Sequence, residues 1–190
     1  MNLRWLPNGI CLMRMLLAIP VSHALMHAEY GLAIWLFLLA AVSDGLDGWL
    51  AKRFQWTSHL GKILDPIADK LLVVAVFACL VLTGLVPVWL AFTVVLRDVV
   101  IVSGATAYHY LVGGLEGRPT RVSKINTVVQ LMFISVVILQ AGWRMVPHWT
   151  VDMIGAASFV TTVVSGIDYV LTYSRLALHE RRRLHGQRPS

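Results

Sequence analysis

Residues 43–70, SDGLDGWLAKRFQWTSHLGKILDPIADK, set Asp44, Asp47, Asp65 and Asp69 between two long apolar runs. The whole chain has only 10 acidic residues in 190. A carboxylate at a bilayer edge or inside a helix bundle persists only beside a metal, a cation or a water-filled pocket, so this stretch reads as a functional site. On helical backbone Asp44, Asp47 and Gly48 fall on one face, and Asp65 and Asp69 share a face of the next helix. If the two helices run antiparallel through the short polar turn at 55–59, four carboxylates point into one space. Left unpaired they would repel one another by several kcal/mol, which calls for divalent cations. Oxygen-only donors favour Mg²⁺ or Mn²⁺ over zinc. Such a set suits two-metal phosphoryl transfer, in which two ions neutralise phosphate oxygens while a carboxylate takes a proton from the attacking hydroxyl.

Working outward, 57% hydrophobic residues, 14% charged residues and a mean hydropathy of +0.71 place the chain among all-α integral membrane proteins. A span needs about 20 mostly apolar residues. Spans are expected near 8–27, 30–52, 62–83, 87–111, 122–142 and 149–175. That gives one six-helix membrane domain over 1–190, with an interfacial lead-in at 1–7 and a basic tail at 176–190. The net charge of +6 follows membrane topology better than nucleic-acid binding, because the basic residues flank apolar runs. Their asymmetry puts both termini and the aspartates on the cytoplasmic side. Cys11 and Cys79 fall inside spans and read as small apolar residues. The first run carries Arg14 and lacks a small-residue cleavage site, so it reads as a retained span.

Other polar residues inside the spans leave alternatives open. Arg14 either serves the site or snorkels to the interface. Arg97 and Asp98 point about 100° apart on a helix and are expected to find different partners: Arg97 the metal site or an anionic headgroup, Asp98 either Lys124 or Arg14. A structural ion pair between spans is the alternative. Arg118, Arg121 and Lys124 form a cationic entrance that either holds a substrate phosphate or touches lipid headgroups. The last span, with Thr161, Thr162 and Ser165 among small residues such as Gly155 and Gly166, reads as a packing or dimer face. The segment 179–188 reads as a mobile tail drawn to anionic lipid.

The pattern Asp44-x-x-Asp47-Gly48-x-x-Ala51-Lys52, followed by Gly61-x-x-x-Asp65-x-x-x-Asp69, resembles the signature of the CDP-alcohol phosphotransferase family of membrane enzymes. Lys52 stands where that family usually carries arginine, and an ammonium cannot make a guanidinium's bidentate phosphate contact. The resemblance implies that CDP-diacylglycerol lies over the aspartates and that an alcohol displaces CMP. It assigns Asp44, Asp47, Asp65 and Asp69 to two Mg²⁺ or Mn²⁺ ions, with Asp69 also the base for the acceptor hydroxyl. Gly48, Ala51, Lys52 and Gly61 would meet the CDP group. It further implies a homodimer in a bacterial cytoplasmic membrane, among anionic lipid.

Two branches of the family are similar over nearly the full length. Leu96-Arg97-Asp98 and the segment 123–130 stand closer to the branch that makes cardiolipin from phosphatidylglycerol. The branch that uses glycerol 3-phosphate, the alternative, tends to carry Arg-Glu and a lysine where Asn126 stands. A monoanionic lipid diester needs less positive charge around it than a dianionic monoester does. Arg97, Arg118, Arg121, Lys124 and Asn126 are the candidates for the acceptor phosphate. A transporter reading fits less well, since the acids gather at one boundary and no paired repeats occur. A scaffold without catalysis leaves four aspartates unexplained.

Overall fold

The computed structural model describes the backbone of residues 6–54, 61–112 and 121–186, and the side chains of 12–43, 70–104 and 122–172. Within these residues the chain forms six α-helices: α1 (Leu6–Met26), α2 (Tyr30–Phe54), α3 (Gly61–Leu82), α4 (Val88–Val112), α5 (Arg121–Trp143) and α6 (His148–Gly186). The expected bundle is therefore all-helical, with five of its helices close to the expected spans. The sixth differs. It runs on to Gly186, where a mobile tail is expected, because the charges of residues 179–183 end the hydropathy run while Glu, Arg and Leu remain good helix formers.

Short turns join the helices. After α1, Ala28 takes φ 58 and Glu29 N–H donates to the Ala24 carbonyl at 2.8 Å, closing the helix end. Between α3 and α4, Gly84 takes φ 73 and Leu85 N–H donates to the Leu80 carbonyl at 2.9 Å. The left-handed conformation that glycine adopts freely is what this turn requires. Pro87 then precedes the first turn of α4, where a missing N–H costs nothing.

Helix α1 packs against both α2 and α3, α5 against α6 and α2, and α4 against α6 and α3. The inward faces follow helical spacing. On α3 they are Leu72, Val73, Val76, Phe77 and Leu80; on α5 Phe133, Ile134, Val137 and Ile138; all are buried. The helices α2 and α5 run antiparallel, the start of one beside the end of the other: a Cβ on Gly142 would lie 2.9 Å from the Tyr30 Cβ. By contrast α4 and α6 run parallel, pairing Trp89 with Phe159, Arg97 with Gly166 and Gly104 with Tyr169.

The outside of the bundle is apolar. Trp35, Ile19, Phe92, Met132, Val160 and Ile167 are all more than half exposed, an arrangement stable against hydrocarbon rather than water. Val122–Trp143 and His148–Thr172 are each long and apolar enough to cross a membrane.

The contact between α2 and α5 gives a stability test. Gly142→Ala forces backbones apart and should cost about 1–3 kcal/mol. Gly31→Ala meets only the Trp143 ring at 3.6 Å and should be neutral or stabilising by up to about 1 kcal/mol. Thermal unfolding of the two variants in detergent checks the contrast.

Candidate active site

The inward stripe of α4 changes character along its length. Leu90, Ala91 and Val94 are buried and apolar, and the next positions in the same register are Arg97 and Asp98, each 5% exposed. Helix α5 does the same in reverse, with Asn126 and Gln130 buried ahead of its apolar half. On α6 the inward residues are Ser158, Thr162 and Ser165, all fully buried. One end of the bundle therefore has a polar interior, and it is the end at which α2 stops and α3 begins.

Asp98 is the centre of that interior. Its Oδ1 accepts from the Lys70 ammonium and, at 2.7 Å, from the Arg97 guanidinium. The Arg97 Nη2 donates to the Ser123 hydroxyl at 2.5 Å and to the Ser165 hydroxyl at 2.6 Å. Side chains of α3, α4, α5 and α6 thus converge on one pair of neighbouring residues. This corrects two expectations. Arg97 and Asp98 do pair with each other, because the long arginine stem folds back and brings its planar head to the adjacent carboxylate. The further partner of Asp98 is Lys70, not Lys124 or Arg14.

A second, neutral network lies beside the first. The Asn126 Oδ1 accepts from Thr161 and Thr162, each at 2.9 Å, and Gln130 Nε2 donates to the Thr162 hydroxyl at 3.2 Å. Asn126 is fully buried; its carbonyl is engaged by α6, while its amide nitrogen, the group able to donate to a phosphate, has no hydrogen-bond partner. On α6, a segment read as a packing or dimer face, Ser158, Thr162 and Ser165 line the interior; Ser165 bonds to Arg97 on α4 and Thr161 and Thr162 to Asn126 on α5, while the Ser158 hydroxyl has no partner. The signal that could have found them is their spacing, since 158, 162 and 165 recur on one helical face.

The sequence candidates divide as follows. Asp44, Asp47, Gly48, Ala51 and Lys52 lie on the last three turns of α2, and Gly61, Asp65 and Asp69 on the first turns of α3. Their side chains lie outside the described residues, as do those of Arg118 and Arg121. The helical backbone at both places supports the three- and four-residue spacings that put each aspartate pair on one face. Lys124 is exposed on α5. Arg14 is fully buried in the helix that packs on both motif helices, so it does not snorkel to an interface. Among the described residues no three His, Cys, Asp or Glu side chains form a metal-binding group.

Comparison with known proteins gives a direct finding. A family model described as CDP-alcohol phosphatidyltransferase matches residues 4–173. A Drosophila melanogaster protein named as a probable cardiolipin synthase (CMP-forming) is 29% identical over 188 residues, covering 90% of this chain and 58% of the relative. Human cardiolipin synthase (CMP-forming) is 26% identical over 180 residues, 86% of this chain and 60% of the relative. The Bacillus subtilis CDP-diacylglycerol–glycerol-3-phosphate 3-phosphatidyltransferase is 29% identical over 155 residues, 80% of this chain and 75% of the relative. The chain spans about three fifths of the length of the two cardiolipin synthases.

The charged cluster predicts a hierarchy of stability. Asp98→Asn leaves two cations facing each other with no counter-charge and should cost about 3–5 kcal/mol. Thr162→Val removes one donor and one acceptor from the neutral network and should cost about 1–3 kcal/mol. Unfolding midpoints of the purified variants in one detergent test the ordering.

Proposed function

The chain belongs to the CDP-alcohol phosphatidyltransferase family, and we propose that it transfers the phosphatidyl group of CDP-diacylglycerol to phosphatidylglycerol, forming cardiolipin and releasing CMP. The observation that carries this reading is the placement of the motif. Its two halves lie on consecutive helices at the polar end of the bundle, and the residue after Asp69 is Lys70, the cation bound to Asp98. The site is read as facing the cytoplasm from a bundle of six membrane spans, working as a homodimer. The apolar exterior and the basic residues flanking the aspartates support that orientation.

The donor set fits a divalent-metal enzyme, since four carboxylates offer only hard oxygen ligands. Asp44, Asp47, Asp65 and Asp69 would hold Mg²⁺ or Mn²⁺, which when bound neutralises the diphosphate and lowers the pKa of the acceptor hydroxyl. Asp69 takes the proton from that hydroxyl as its oxygen attacks the phosphorus attached to diacylglycerol. The bond from that phosphorus to the bridging oxygen breaks, and CMP leaves with the electron pair. Gly48 and Ala51 leave room for the nucleotide, Gly61 lets it approach the backbone, and Lys52 supplies a point charge to its phosphates.

Charge bookkeeping favours a monoanionic acceptor. Lys70, Arg97 and Asp98 together carry one net positive charge, and Asn126 adds none. A phosphodiester is matched by that single charge, whereas a phosphate monoester would need another. Arg118, Arg121 and Lys124 remain the candidates for guiding an anionic headgroup toward the site.

In purified form the protein should release CMP from CDP-diacylglycerol and phosphatidylglycerol and give a product of cardiolipin mass. Chelation with EDTA should stop turnover and added Mg²⁺ or Mn²⁺ restore it. Asp69→Asn should remove CMP release by at least about 100-fold, the usual contribution of a positioned base, while leaving the unfolding midpoint in place. A product formed from glycerol 3-phosphate alone would replace the acceptor; normal turnover by Asp69→Asn would exclude the base.

A further inference from the structure

The charged cluster at the polar end of the bundle is unevenly covered. The side chain of Arg97 is 4% exposed and that of Asp98 6%, whereas that of Lys70 is 29% exposed. Arg97 uses Nη1 on Asp98 and Nη2 on the Ser123 and Ser165 hydroxyls, so an anion reaches those atoms only by displacing partners already in place. Asn126 keeps an unpaired amide nitrogen but is fully buried. Lys70 gives one N–H to Asp98, and among the described residues it meets no second acceptor. An ammonium carries three donors, so two are left over on the least covered cation of the cluster.

The space that Lys70 faces lies at the depth of the motif. Lys70 directly follows Asp69 on α3, a rise of about 1.5 Å along the axis. Its partner Asp98 is joined through Arg97 to Ser123, which stands in the first turn of α5, so the cluster is close to the end of the bundle. In a bundle with an apolar exterior, a partly uncovered ammonium is stable toward water or an anion and not toward hydrocarbon. The opening beside Lys70 is therefore polar.

The position of Lys70 also separates it from the nucleotide. It is bonded to α4, whereas the other half of the aspartate motif is on α2, and side chains of successive residues leave a helix about 100° apart. A glyceryl headgroup carries its free hydroxyl and its phosphate at opposite ends of a three-carbon chain. With the hydroxyl at Asp69, the phosphate falls a few ångströms away, the scale that separates neighbouring residues of one helix.

We propose that Lys70 binds the phosphate of the acceptor, a part for which Arg97 was a candidate, and that Asp98 holds the ammonium in place for that contact. The inference rests on the reaction proposed above and names the residue that recognises the phosphate the acceptor brings with it.

The first test uses the full chain in detergent with Mg²⁺ and needs no turnover. Reductive methylation of Lys70, followed by peptide mass spectrometry, should slow about tenfold in glycerophosphoglycerol, the soluble headgroup of phosphatidylglycerol, at about ten times its Kd. Glycerol at the same concentration should leave it unchanged. Equal protection by CDP, or no protection by either glycerophosphoglycerol or glycerol 3-phosphate, overturns the proposal. In steady-state assays Lys70→Gln should raise the acceptor KM about 10- to 100-fold, the range of a charge-assisted hydrogen bond, while the KM for CDP-diacylglycerol stays within about twofold. Lys70→Arg should recover most of the loss. A residue that only neutralises Asp98 would leave the acceptor KM unchanged, and that result also overturns the proposal. If Lys70→Gln does not fold, the methylation of the unaltered chain decides. The two readings fail separately. Transfer to phosphatidylglycerol without protection defeats the part given to Lys70 alone; protection by glycerol 3-phosphate and not by the diester keeps that part and replaces the acceptor.

Discussion

One carboxylate shared by two cations inside an apolar bundle is the constraint on which this molecule depends. Burying these charges without partners would be prohibitive, and the Arg97–Asp98 pair on α4 is tolerable because three other helices bring it further partners. Asp98 draws Lys70 from α3, and Arg97 draws hydroxyls from α5 and α6. Apolar packing, which discriminates weakly among helix registers when the surroundings are equally apolar, could not fix those helices so specifically. The ionic cluster supplies the register that the aliphatic half of the core does not.

This division of the interior also orders the chemistry. At the end where α1 turns into α2 and α3 into α4, the core is Val, Ile, Leu and Phe, and it acts as a rigid base. At the other end the interior residues are charged or hydroxylic, and there the two halves of the aspartate motif are carried on helical backbone. The lipid transfer proposed above needs such a boundary, because its substrates carry an ionic head that reacts and chains that stay in hydrocarbon.

The architecture was largely legible in the sequence because the length of an apolar run is a local property. Helices α1 to α5 begin and end close to where hydropathy changes. The end of α6 was not, since hydropathy reports where a chain stops being apolar and not where it stops being helical. The motif aspartates stand out by their spacing, and both halves of the motif lie on helical backbone. The contacts of Arg97, Asp98 and Asn126 could not be read from the sequence, because they depend on how far long side chains reach and on which face meets a helix distant in the chain. Arg97 bends back to its neighbour, and Asn126 turns its carbonyl toward Thr161 and Thr162. Lys70 follows Asp69 directly in the sequence, but its bond to Asp98 depends on how α3 meets α4, which spacing along one helix does not report.

The parallel arrangement of α4 and α6 bears on how the protein is made. Lys70 precedes Asp98 in the chain, whereas Ser123 and Ser165 come after it. When α4 emerges from the ribosome, the ammonium that neutralises its carboxylate already exists, and the hydroxyls that will enclose its guanidinium do not. Biogenesis therefore has an internal sequence: a hairpin of α3 and α4 can hold the acid first, and the arginine acquires its remaining partners only as the last two helices arrive.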